Sequence, residues 1–180
     1  MKIRETTLTG VLLLVPTPHR DQRGLFTRTF DLAEARDAGI AGDFLQDSQS
    51  RSCAGVLRGL HARTGAGEAK LVRCARGAVH DVLVDARPGS PTFGAHESFL
   101  LDDNEFHSLF VPAGLLHGFL ALTDADVCYR IDTEHDPSAD AGVRFDDPEL
   151  GIEWPHKPSM ISERDAALGS WTQLRSVLGA

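Results

Sequence analysis

A chain of 180 residues in which apolar side chains make up 42% is long enough to bury a real core, and residues 1–180 read as one domain. Its formal charge of −8 argues against nonspecific binding to nucleic acid, although a few arginines gathered in a cleft outweigh the global field locally. No window reaches the length needed to span a membrane, and the residues after Met1 are charged, unlike a signal peptide. Cys53, Cys74 and Cys128 are odd in number and form no CxxC pair. They are expected as buried thiols in a reducing cytoplasm, without a disulfide frame or zinc site.

In chain order, short apolar runs alternate with Gly, Pro and Asp signals, and helical periods are few. Strands are expected over Val11 to Val15 and Leu25 to Phe30, then a short helix over Asp31 to Ala38 with Asp31 as N-cap and Gly39 as stop. Further strands are expected over Phe44 to Ser50, Val56 to His61, Ala69 to Ala75 and Val79 to Asp85. The series continues with His96 to Leu101, Glu105 to Val111, Leu116 to Leu122 and Val127 to Thr133. Many short strands at near-regular spacing indicate an antiparallel sandwich or barrel. Pro and Asp thicken between Asp136 and Pro158, marking a loop-rich closing segment, and helical turns are expected over Asp165 to Leu168 and Trp171 to Leu178.

The run Gly55-Val56-Leu57-Arg58-Gly59-Leu60-His61 is a strand with polar groups where core residues would be expected. Alternation places Arg58 and Leu60 on one face, and Leu57, Gly59 and His61 on the other. A lone histidine there is more often a satisfied core residue. Nine residues later Lys70 lies in a second apolar run, and a half-buried lysine is costly unless it is paired or used. Together they mark a candidate site.

The other candidates are weaker singly. Arg23, beside Gly24 at the entrance of a strand, suits a bidentate phosphate clamp, and a surface salt bridge explains it equally well. Asp81 and Asp85 share one strand face, which suits supporting roles such as pairing Asp81 with a histidine or arginine. Tyr129, the one tyrosine of the chain, is either a core aromatic with a bonded hydroxyl or a proton donor opposite His61. Metal is not expected: a cupin-type site presents His-x-His, whereas Ala62-Arg63 follows His61, and the cations Arg58 and Lys70 oppose a further cation.

Taken jointly, these motifs resemble the dTDP-4-dehydrorhamnose 3,5-epimerase family over almost the whole length. The landmarks are Asp21-Gln22-Arg23-Gly24-Leu25-Phe26, the Gly55–His61 run, Lys70-Leu71-Val72-Arg73 and Gly89-Ser90-Pro91-Thr92-Phe93-Gly94. They continue with His117-Gly118-Phe119, Asp147-Pro148, Glu153-Trp154-Pro155 and Ser162-Glu163-Arg164-Asp165. The resemblance implies a mainly β cupin jelly roll with a few short helices, acting on a dTDP-4-keto-6-deoxy sugar without metal or other cofactor. It further implies His61 as general base, Asp165 as its orienting carboxylate, Lys70 at the enolate oxygen and Tyr129 as the acid. Arg23, Phe26, Gln46, Arg58 and His117 would bind substrate, and a homodimer would exchange N-terminal strands. The sequence departs from the family at His135, where a tyrosine is usual, at Arg28 and Ser48, and in the shortened loop Arg63-Thr64-Gly65-Ala66-Gly67. These changes bear on which carbon is epimerised, so a mono-epimerase is the alternative, followed by a non-catalytic sugar-nucleotide binder.

Overall fold

The computed structural model describes residues 1–40 and 43–180. The N-terminal part forms two hairpins, β1 (Lys2–Glu5) with β2 (Leu12–Val15), and β3 (His19–Asp21) with β4 (Gly24–Phe26). Helix α1 (Leu32–Asp37) follows, its first N–H groups bonded by the Asp31 carboxylate as an N-cap requires. Eight strands then make the body: β5 (Gln46–Ser52), β6 (Val56–Arg63), β7 (Lys70–Arg76), β8 (Ala78–Asp85), β9 (His96–Asp102), β10 (Ser108–Val111), β11 (Leu115–Ala121) and β12 (Ala125–Ile131). The closing segment adds β13 (Asp140–Gly142), β14 (Met160–Ile161), α2 (Glu163–Ala166) and α3 (Trp171–Leu178).

One sheet has the order β1-β2-β10-β7-β12-β5, and the other β13-β6-β11-β8-β9, with β14 lying parallel to β6. The chain therefore winds β5-β12-β7-β10 against β6-β11-β8-β9, which is the jelly-roll path expected of a cupin.

Three apolar clusters follow from that layering. Between the sheets, Val72, Cys74 and Val127 meet Val79, Leu83, Leu115 and Phe119. On the outer face of the second sheet, Leu60, Val82, Val84 and Leu116 are covered by Trp171 and Leu174 of α3. On the outer face of the first, Leu14, Leu71 and Phe110 are covered by Ala35 and Ile40. With both faces covered, β8 reads as a nearly continuous buried run, and the acids Asp81 and Asp85 fall on its inner face with Leu83.

The structure corrects three expectations. Cys53 is exposed; only Cys74 is buried, and Cys128 is half-buried. The first C-terminal helix begins at Glu163, two residues early, because the Ser162 hydroxyl caps it at the Asp165 N–H. Arg58 and His61 do not lie on opposite faces. In the β6–β11 register His117 pairs with His61 and Phe119 with Arg58, so the two residues Gly59 and Leu60 stand opposite Gly118 alone. That bulge shifts the alternation by one and turns Arg58 and His61 to the same, inner side.

Candidate active site

Where β6, β11, β7 and β12 face each other, a cavity of about 340 Å³ opens, lined by Arg58, His61, Lys70, His117 and Tyr129 together with Ser50, Gly118, Phe119, Ser162, Arg164 and Asp165. His61, Arg58 and His117 come from one sheet, Lys70 and Tyr129 from the other. Lys70 is on the inner face because alternation carries it with Val72 and Cys74, and Tyr129 pairs with Val72 in the neighbouring strand.

Each histidine is held by a buried carboxylate. His61 Nε2 is 2.7 Å from Asp165 Oδ1, and Asp165 Oδ2 accepts the Gly59 N–H at 3.1 Å. Burial alone would raise the Asp165 carboxyl. The Gly59 N–H, the His61 ring and the Ser162 hydroxyl outweigh it and hold the group below the usual carboxylate range. The ionised acid accepts a hydrogen bond from the His61 Nε2–H and so leaves Nδ1 as the nitrogen with the free lone pair. Similarly, His117 Nε2 lies 2.8 Å from Asp81 Oδ2, the supporting role expected of Asp81.

Tyr129 stands edge-on to the His117 ring, with centroids 6.2 Å apart, and its hydroxyl is 3.3 Å from Ser50 Oγ. Burial pushes the phenol well above its usual range, against the opposing effect of the Ser50 hydrogen bond. The group is therefore protonated at any physiological pH. Lys70 Nζ lies 2.7 Å from Glu68 Oε1, and Arg63 Nε lies 2.6 Å from the other oxygen of the same carboxylate. Arg58 is steadied by donating to Ser52 Oγ at 2.9 Å and to the Arg51 carbonyl at 3.1 Å. Arg164, also at the rim, is paired with Asp140. The cavity is thus rich in cationic donors within an acidic chain, as an anionic ligand requires. Among the described residues, no three His, Cys, Asp or Glu side chains converge as metal ligands.

Six of the candidates are brought together: His61, Asp165, Lys70, Tyr129, Arg58 and His117. The other three are elsewhere in this chain. Arg23, 87% exposed, is paired with Asp21, and Phe26, 70% exposed, lies on the same β3–β4 hairpin. Gln46 lines a separate groove with Phe44 and Arg130. Sequence reasoning missed Glu68 and Arg164. Glu68 had one signal, a carboxylate two residues from a lysine at a strand entrance.

A family model described as dTDP-4-dehydrorhamnose 3,5-epimerase matches residues 5–173. The chain belongs to that family. The dTDP-4-dehydrorhamnose 3,5-epimerase of Mycobacterium tuberculosis is 43% identical over 183 residues, 98% of this chain and 90% of the relative. Among solved structures, NovW, a 4-keto-6-deoxy sugar epimerase from the novobiocin biosynthetic gene cluster of Streptomyces spheroides, superposes with a TM-score of 0.93 at 37% identity. That likeness covers 98% of this chain and 90% of the other. ChmJ, a 3'-monoepimerase from Streptomyces bikiniensis in complex with dTDP-quinovose, has a TM-score of 0.88 at 35% identity, covering 97% and 89%. Epimerases of this family thus include relatives described as acting at two carbons and at one.

Proposed function

We propose that this protein epimerises a dTDP-4-keto-6-deoxyhexose at C3, C5 or both, by proton transfer beside the C4 ketone. The observation that supports it most is the placement of the His61–Asp165 pair on one wall of a cavity whose other wall holds Lys70 and Tyr129. The ketone acidifies its neighbouring C–H bonds. His61 Nδ1 takes a proton from one of those carbons, and the C–H electron pair moves into an enolate. Its oxygen is met by the Lys70 ammonium, a cation already held in place by Glu68. The Tyr129 hydroxyl gives its proton to the opposite face of the same carbon, and the ketone is restored with the centre inverted. Solvent then returns a proton to Tyr129 and removes one from His61. Arg58 and His117 are assigned to the sugar and diphosphate, Arg58 as a planar donor suited to phosphate oxygens.

We further infer a cytoplasmic homodimer. The β3–β4 hairpin holds Arg23 and Phe26 in the open, away from their own cavity, which suits delivery to a neighbouring copy's nucleotide site. Gln46, in its own groove with Phe44 and Arg130, would also bind substrate. A mono-epimerase is favoured as the second reading by one feature: His135, where the family resemblance expects tyrosine, is engaged by Arg63 at 2.7 Å.

One experiment tests the whole reading. The protein is incubated with dTDP-4-keto-6-deoxyglucose in D2O and the sugar is followed by NMR. Deuterium at C3 and C5 is the double epimerase, and deuterium at one carbon the mono-epimerase. Binding without exchange at either carbon would leave a sugar-nucleotide binder.

A further inference from the structure

The geometry points to Glu68 as the residue that aims Lys70, with Arg63 as its anchor; we propose that this buried triad positions the ammonium for the reaction. The inference rests on the reading of Lys70 as the group at the C4 oxygen, and adds what sets its direction. Glu68 does not line the cavity, so it is a positioning residue and touches no substrate.

Two cations share one carboxylate, Arg63 Nε at Oε2 and Lys70 Nζ at Oε1, and the three side chains are only 10%, 7% and 12% exposed. A carboxylate taken out of water is costly unless paired, so it holds both partners closely. The two partners differ in stiffness. Arg63 is a rigid planar fork tied at its far end to the Asp136 carbonyl at 3.1 Å and to His135 Nδ1 at 2.7 Å. Lys70 has a flexible four-carbon stem with no such tie. Arg63 therefore fixes Glu68, and Glu68 fixes Lys70.

The backbone between them is pinned too, because the Ala69 N–H donates to Asp132 Oδ1 at 2.8 Å. The Lys70 ammonium is ion-paired to Oε1 on one side, at 2.7 Å, and lines the cavity on the other. Sharing the acid with Arg63 also matters electrostatically. A private carboxylate would cancel the charge of Lys70, whereas the triad keeps one net positive charge facing the developing oxyanion.

The test measures kcat and KM for epimerisation and dTDP affinity in wild type, Glu68→Gln, Arg63→Gln, Arg63→Gln/Glu68→Gln and Lys70→Met. Glu68→Gln is expected to lower kcat roughly 100-fold, the scale of a misplacement near 1 Å, with KM and dTDP affinity within about threefold of wild type. The double variant strands one buried cation, Lys70, where Glu68→Gln strands two, so it is the better folded of the pair, and its kcat is expected to lie within about threefold of Glu68→Gln because Arg63 acts only through Glu68. Wild-type kcat in Glu68→Gln, with Lys70→Met inactive, overturns the positioning role and leaves Lys70 in place. Losses that multiply in the double variant overturn it as well. An active Lys70→Met removes the reading of Lys70 and this inference with it.

Discussion

Asp165 is bonded at both oxygens to one short stretch of β6: Oδ1 to the ring of His61 at 2.7 Å and Oδ2 to the N–H of Gly59 at 3.1 Å. The carboxylate thus reads the position of the strand and the orientation of the imidazole together. Asp165→Asn keeps the size but presents no negative charge to an imidazolium. Exchange in D2O is expected to fall by about 10²–10⁴-fold while dTDP affinity is held. A variant exchanging at the wild-type rate would remove Asp165 from the dyad.

Tyr129→Phe separates the two half-reactions. The hydroxyl is bonded only to Ser50 Oγ among the described residues, so its loss removes a proton donor with little packing change. His61 can still take and return a proton on its own face. Deuterium is therefore expected to enter the sugar, at a rate reduced about 10²-fold or more, while inverted product fails to accumulate. Inversion at the wild-type rate by NMR would assign the donor elsewhere.

Much of the fold was legible because both sheets bury a face, so period-two runs such as Lys70–Arg76 and His96–Asp102 stand out. The strands that went unread, Lys2–Glu5, His19–Asp21, Asp140–Gly142 and Met160–Ile161, are short and largely exposed or polar, and pairing rather than local pattern makes them strands. In the site, His61 and Lys70 were visible as polar groups in apolar runs. That Arg58 faces the same cavity was implied by the family resemblance but missed by alternation, because a bulge in register is a property of two strands together. Glu68 was hidden for a related reason: its partners Arg63 and Lys70 meet it only once β6 and β7 are placed.

The bulge depends on two glycines. A Cβ on Gly59, which has φ of 115°, would lie 2.5 Å from Gly118 Cα, and one on Gly118 would lie 2.8 Å from the Arg58 carbonyl oxygen. The obstacles are backbone, which cannot swing aside as a flexible side chain does. Gly118→Ala, with no unusual φ to contend with, isolates the steric effect. It is expected to lower unfolding free energy by about 2–3 kcal/mol in urea titration, and to reduce kcat by spreading the strands that hold His61 and His117. Gly59→Ala adds backbone strain and is expected to cost more. Equal stability for either variant and wild type would mean the strands are not close-packed there.

Acid stability has a separate origin, at Asp85. Burial raises this carboxyl, but Arg87, the hydroxyls of Ser90 and Thr92 and the Arg87 N–H together bring it down to about 2. The folded value lies below the unfolded one, near 3.9, so the ionised group stabilises the fold above that pH. The contribution, about 2 kcal/mol, is present in full above pH ~5 and is lost as the pH falls through ~4 towards ~2. Asp85→Asn removes the titration and keeps the shape. The gap in unfolding free energy between wild type and variant is therefore expected to narrow steadily from pH ~5 to ~2.5 in denaturant titrations. A gap that stays constant over that range would mean Asp85 is no better bonded as a carboxylate than as an acid. The turn Ser90–Gly94 would then be held by packing against Trp171, whose ring lies 5.4 Å from that of Phe93.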